Sequence, residues 1–241
     1  MPTILIVRPQ GQTAADIDIC TAAGWQALPF SPLRLEADTA ALLQLPALFA
    51  AADVVFWVSP GAVNVAAPGL DFSGSAAQQV TVGQASAQAL AAYCAQPITA
   101  PGSGHDSEAV LRLALWQSLP PGANVLIIRG HGGRDFLAQA LRQQGFKVTV
   151  AEVYFRQPQA LDWGLFAHSQ PQAVYVASAA LAQVLFAQVP PELAQNLKNL
   201  LYFTHHQRIA DILRDYGVHR IQTGTLAQLL PACRKGEPPH D

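Results

Sequence analysis

The chain has 241 residues, 51% hydrophobic and only 12% charged, which excludes a disordered protein and allows one large domain or two ordinary ones. A net charge of −2 and a pI near 6.4, with no basic run, exclude a sequence-independent nucleic-acid binder. An anionic ligand must therefore be held by local arrangements.

The opening TILIVRPQG predicts a strand over Ile4–Val7 and then a glycine turn. It has no basic leader and its apolar run is only strand-length, so a signal peptide is not expected. After a second strand over Gln26–Phe30 comes LPFSPLRLEAD, extended, proline-bearing and polar at its end, as linkers are. The most apolar window, TAALLQLPALFAAADVVFWV, is interrupted by Gln44, Pro46 and Asp53 and turns β-branched at its end. A helix followed by a strand over Val54–Val58 is predicted there, not a membrane span. Further strands are predicted over Gln79–Val82, Pro97–Ala100, Asn124–Arg129, Lys147–Val153, Ala173–Ala177, Leu201–Thr204 and Arg220–Thr223. Helical patterns fill nearly every gap, so the class is α/β with parallel sheets. Several strands are apolar on both faces, as strands covered on both sides must be. The tail CRKGEPPHD is expected to be disordered. Cys20, Cys94 and Cys233 lack any CxxC or Cys/His spacing and read as reduced core thiols of a soluble, cytoplasmic protein.

Aligning residue 4 with 125 pairs Leu5 with Leu126, Ile6 with Ile127, Arg8 with Arg129, Gly11 with Gly132 and Gly24 with Gly145. Chance supplies on the order of one or two such identities in a window of that length. The correspondence runs on through Ser59 with Ser178, Gly83 with Thr204, and PITAPGS with HRIQTGT. The chain is thus a tandem duplication of five strands per copy. LPFSPLRLEAD and VAEVYFRQPQALD occupy equivalent places in the two copies. Either the chain crosses between domains at both, making the first domain discontinuous, or it divides once near residue 122 at LPPGANV.

In doubly wound sheets ligands lie beyond the carboxyl ends of strands, where helix N-termini offer free N–H groups to anions. The turns in that position are RPQGQ with Arg8; SPGAV with Ser59, Pro60, Gly61 and Ala62; and GQASA with Gly83, Ser86 and Ala87. RGHGGR with Arg129, Gly130 and Arg134, SAAL with Ser178 and Ala179, and THHQRIA with Gln207, Arg208 and Ile209 complete the set. Small residues keep these backbones approachable. Ser59, Ser86 and Ser178 also fit ordinary N-caps. Arg129 and Arg134 fit either ligand contacts or solvated surface charges. RGHGGR lacks the GK[ST] ending and GxGxxG spacing of nucleotide loops. His131, His205 and His206 have no third ligand spaced to complete a metal site and read as exposed loop residues. Neither GxSxG nor a partnered cysteine marks a nucleophile. Tyr154, in the second crossover, could pack or could donate a proton from a phenol facing an interdomain cleft.

In the ordered series ILIVRPQGQ, DVVFWVSPGAV, VTVGQASAQAL, GSGHDSEAVL, NVLIIRGHGGRDFLAQALRQQGFKV, VYFR, AVYVASAAL and RIADILRDYG, the chain resembles the uroporphyrinogen-III synthase family over nearly its full length. Val58 and Ser86 stand where that family commonly has threonine. The resemblance implies two flavodoxin-like doubly wound parallel-sheet domains joined by a two-stranded β-ladder. Residues 1–34 with 157–241 would form one and 35–156 the other, with crossovers near 30–37 and 152–158. Two linkers would make a hinge around the ligand. It implies closure of hydroxymethylbilane, a linear tetrapyrrole polycarboxylate, to uroporphyrinogen III with loss of water and inversion of the last ring by way of a spiro intermediate. No cofactor or metal is implied. Tyr154 takes the proton-donor position by resemblance, and the turn residues above the substrate-binding positions. Hand-over from hydroxymethylbilane synthase and a monomer acting without nucleic acid or membrane are expected. The reading from another class is a two-domain hinged binding protein without catalysis. A nucleotide-sugar transferase is disfavoured by the short chain and the missing acidic metal motifs.

Overall fold

The computed structural model describes residues 1–104 and 106–234. The chain divides into two compact units: residues 1–34 with 157–241, and residues 35–156. The first unit opens with β1 (Thr3–Val7), α1 (Ala14–Ala22) and β2 (Gln26–Pro29). The chain then runs along β3 (Leu33–Ala37) into the second unit: α2 (Thr39–Ala50), β4 (Val54–Trp57), α3 (Pro60–Ala66), β5 (Gln78–Thr81), α4 (Gln84–Ala91) and β6 (Ile98–Thr99). Next come α5 (Ser107–Leu111), α6 (Leu115–Ser118), β7 (Asn124–Gly130), α7 (Phe136–Gln143) and β8 (Lys147–Pro158), whose far end leads back to the first unit. That unit is completed by α8 (Trp163–Ser169), β9 (Ala173–Val176), α9 (Ala179–Gln188), α10 (Pro191–Lys198) and β10 (Leu201–Thr204). Last are α11 (Gln207–Asp215), β11 (Ile221–Thr223) and α12 (Leu226–Arg234).

The first unit's sheet runs β11-β10-β9-β1-β2, all parallel. Counted within the unit this is the 2-1-3-4-5 order of flavodoxin-like sheets. The second sheet runs β3-β8-β7-β4-β5-β6, parallel from β8 to β6. Without β3 it has the same order, with β7 in the place of β1. The first two strands of each sequence copy therefore lie beside the last three of the other.

Strands covered on both faces explain the unbroken apolar runs. Leu5 and Val7 pack with Val174, Val176 and Tyr202 on one face, Ile4 and Ile6 with Tyr175 and Phe203 on the other. In the second unit Val55 and Trp57 face one core with Leu126 and Ile128, while Val54 and Phe56 face another with Val125 and Ile127. Each such side chain contributes about 1.5–3 kcal/mol by leaving water. The helices stop where the repeat predicts: Gly24 (φ +73°) follows α1 and Gly145 (φ +91°) follows α7, the left-handed position after a C-cap that favours glycine. Cys20 and Cys94 are buried free thiols, and burial pushes Cys20 up to about 12. The Cys233 thiol and residues 235–241 lie outside the description, but the backbone of Cys233 and Arg234 ends α12, correcting the expectation of disorder there. Among the described residues no helix is long and apolar enough to cross a membrane.

The stretch LPFSPLRLEAD, a linker by its composition, contains a strand, and with β8 it forms the two-stranded ladder that the resemblance implies. Asp38 N–H donates to Val153 O (2.9 Å) and Gln159 N–H to Pro32 O (3.0 Å), which sets β3 antiparallel to the later half of β8. Asp38 caps α2, its Oδ1 accepting from Ala41 N–H at 3.1 Å, and its Oδ2 lies 2.9 Å from His131 Nε2. These contacts, the Ala41 amide foremost, hold its carboxyl below the ordinary value of 3.8. A depressed folded-state value means stabilisation that is present above the unfolded-state pKa and lost as pH falls through the folded one. Urea unfolding should thus separate wild type from Asp38→Ala widely at about pH 7 and less at about pH 3. A gap of equal size at both would show that the carboxylate charge contributes nothing.

Candidate functional site

The carboxyl edge of the second unit's sheet is built from the ends of β4, β5, β7 and β8. Beyond β4, Ser59 Oγ accepts from Ala62 N–H (3.1 Å) and Pro60 takes the first helical position, so α3 begins with its N-terminus at the edge. Gly61 and Ala62 are buried in that first turn. Beyond β5, the cap of α4 is Gly83, and Thr81 Oγ1 donates to its carbonyl (3.2 Å). Ser86 is a correction: it lies inside the first turns of α4, 1% exposed, and its hydroxyl has no hydrogen-bond partner, so it caps nothing. Ala87 beside it is half-buried.

Beyond β7 the register with β8 shifts: Arg129 pairs with Glu152, but Gly130 pairs with Tyr154. Such a bulge re-aims side chains. The Tyr154 ring fills the space where a side chain on residue 130 would stand; a Cβ there would lie within its ring carbons and 2.9 Å from its hydroxyl. Tyr154 is only 2% exposed, and its hydroxyl lies 3.3 Å from Ser59 Oγ. Arg129 is not a solvated surface charge. It is 9% exposed and its NH2 meets Asp135 (2.8 Å) and Glu152 (3.1 Å), while NH1 donates to Arg134 O (2.9 Å). Arg134 itself is exposed. His131 departs from the exposed-loop reading: it is half-buried, stacks on Phe155 with 3.9 Å between ring centres, and stands between Asp38 and Glu152 (3.4 Å).

In the first unit the corresponding edge carries Arg8, whose guanidinium is paired with Asp16 of α1 and lies 5.4 Å over the Tyr175 ring. Its NH2 donates to Tyr175 OH at 3.3 Å. Burial raises the Asp16 carboxyl, and Arg8 opposes that shift. Burial likewise raises the Tyr175 phenol. Ser178 repeats Ser59, capping α9 through Leu181 N–H (3.3 Å) with nearly the same backbone angles (φ −158°, ψ 159° against −164°, 162°); Ala179 opens that helix. At β10, Thr204 Oγ1 is buried without a partner. Beyond it His206 Nδ1 accepts from Arg208 N–H (3.1 Å), opening α11 with Gln207 and Arg208 exposed and Ile209 buried. His205 Nδ1 lies 3.4 Å from Tyr175 OH.

Among the described residues no group of three His, Cys, Asp or Glu could hold a metal ion. Asp16, Asp38, Glu152, Tyr175 and Arg156 complete the two edges without having been singled out from sequence. Only Arg156 left a legible signal: two residues beyond Tyr154 on a strand, it falls on the same face. At each edge a helix N-terminus suits an anion, although Ala62, Ser86, Ala87, Leu181, Arg208 and Ile209 already give their amide protons to acceptors in the chain, and in the second unit one phenol offers a proton. Gly130→Ala should push the Tyr154 ring from its place at a cost of about 1–3 kcal/mol, the range for overpacking, read by urea unfolding. Unchanged stability would mean that the ring yields freely.

A mutant uroporphyrinogen III synthase of Thermus thermophilus shares the fold over 98% of both chains, with a TM-score of 0.56 at 19% identity. Uroporphyrinogen-III synthetase of Helicobacter pylori does so over 98% of this chain and 99% of its own, with a TM-score of 0.56 at 14% identity. The uroporphyrinogen-III synthase of Salmonella typhimurium is 31% identical over 160 residues, 64% of this chain and 65% of that one, so the matched stretch spans just under two thirds of the relative. Residues 14–224 match the family described as uroporphyrinogen-III synthase HemD, and the chain belongs to that family.

Proposed function

We propose that the protein is a uroporphyrinogen-III synthase, a cyclising hydro-lyase that closes hydroxymethylbilane to uroporphyrinogen III with its last ring inverted. The observation that carries this reading is the family match over residues 14–224. The two edges support it chemically. A polycarboxylate bound to a chain of net charge −2 needs relief of repulsion at many points, and helix-start amides supply it without a basic surface. In this reading the turns at Ser59–Ala62, Gly83–Ala87, Ser178–Ala179 and Gln207–Ile209 are substrate-binding positions, through those of their amides that no cap or helix bond already holds. The exposed Arg134 and Arg208 give it cationic contacts, while Arg8, its charge already matched by Asp16, adds hydrogen-bond donors. Arg129 enters differently: already paired with Asp135 and Glu152, it holds the turn that carries Arg134. The substrate closes unaided to the wrong isomer, so the enzyme's task is chiefly positioning, which is worth up to about 7–11 kcal/mol.

Tyr154 is the proton donor in this proposal. Its phenol gives a proton to the departing hydroxyl, and general acid catalysis of this kind contributes roughly 10²–10⁴-fold. The protein would act as a cytoplasmic monomer without a cofactor, and would take substrate directly from hydroxymethylbilane synthase.

Supplied with hydroxymethylbilane, the protein should form predominantly isomer III. Isomer I at the spontaneous rate would leave a two-domain binding protein without catalysis. Tyr154→Phe should retain the fold, checked by circular dichroism, and lower turnover by about 10²-fold or more. Full turnover in that variant would remove the phenol from the mechanism.

A further inference from the structure

Arg156 stands two residues beyond Tyr154 on β8 and is exposed. Its NH2 donates to Tyr154 Oη at 3.2 Å, its Cζ lies 5.3 Å over the Tyr154 ring, and its NH1 donates to His131 O at 3.2 Å. A guanidinium tied at both ends is fixed in direction, unlike a free surface arginine. A phenol has one proton and two lone pairs. Arg156 occupies one lone pair, and the Ser59 hydroxyl, 3.3 Å away, can turn to occupy the other while its own oxygen accepts from Ala62 N–H. The tyrosine proton is then left for an acceptor outside this trio.

We infer that Arg156 is a positioning residue for Tyr154, directing the phenol proton toward the substrate and stabilising the phenolate that remains once it has gone. The inference rests on Tyr154 as the proton donor. In the step, Tyr154 O–H gives its proton to the substrate hydroxyl, and the C–O bond breaks with its electron pair leaving in water. Arg156 and Ser59 both donate to the phenolate. The phenolate recovers a proton in the last step: the spiro carbon carries no hydrogen, so its older C–C bond breaks, the freed bridge carbon bonds to the unsubstituted α-carbon of the inverted ring, and that carbon loses its hydrogen as the ring regains aromaticity. Protons and electrons balance without an added reagent. The competing role for an exposed arginine is to hold a substrate carboxylate, and the two roles separate by what a variant changes: a carboxylate contact acts on binding, whereas a phenol-directed contact acts on turnover only while the phenol is present.

The test is a double-mutant cycle on the full chain, with folding checked by thermal melts. Arg156→Met should lower kcat by about ten- to hundred-fold, the size of one charge-assisted hydrogen bond, with KM unchanged. Arg156→Lys, which keeps a charged donor, should recover part of the loss. In a Tyr154→Phe background, Arg156→Met should cost nothing further. An equal loss in both backgrounds, a change confined to KM, or an unchanged kcat in Arg156→Met would overturn the role given to Arg156 and leave Tyr154 standing. Full turnover in Tyr154→Phe alone would bring down the reading of Tyr154, and this inference with it.

Discussion

Between β7 and β8 one side chain can occupy a place only because another is missing. The Tyr154 ring rests over Gly130, where even a methyl group would collide with it, and the register shift at Arg129 and Gly130 brings the two residues opposite each other. Much of the second unit's edge follows from that fit. A ring fixed there puts its hydroxyl beside the cap of α3, leaves Arg156 to lie across its face, and turns Phe155 outward to cover His131. Three strand ends and a helix start are thereby referenced to a single phenol. Close-packed interiors respond to the displacement of even one methylene, so such a reference is stiff.

The charges near the two edges follow a common pattern. Arg8 and Arg129, equivalent in the sequence repeat, both turn to carboxylates of their own unit, Asp16 in one case and Glu152 with Asp135 in the other. Half-buried cations without partners would be costly, and pairing them inside leaves the main-chain amides of the turns as the prominent donors. Amide donors add no net charge, which suits a chain with only 14 basic residues.

The duplication made much of the fold readable. Strands apolar on both faces, the glycines that close α1 and α7, and the serines capping α3 and α9 all recur at matched positions because each has a local cause. β3 came only from the resemblance, which implies a ladder there: LRLEA is short, follows a proline, and buries only Leu33, so nothing local separates it from a linker. The burial of Arg129 was hidden as well, since it depends on Glu152 arriving opposite it from the neighbouring strand. Ser86 reads as a cap because serine commonly caps; its real place is decided by where α4 starts, at a glycine three residues earlier. Tertiary partners, not propensity, settle such positions.

The exchange of strands between the sequence copies has a consequence for how the chain is made. The second unit is one continuous stretch, residues 35–156, and its sheet has every strand in hand once β8 has left the ribosome. The first unit must wait: β1 pairs Ile4 with Ala173, so β1 holds an open edge until β9 emerges. Distant pairings form slowly and unpaired edges invite aggregation. During translation the nascent β1–α1–β2 unit, with its two strands parallel, is therefore open to mispairing until β9 arrives.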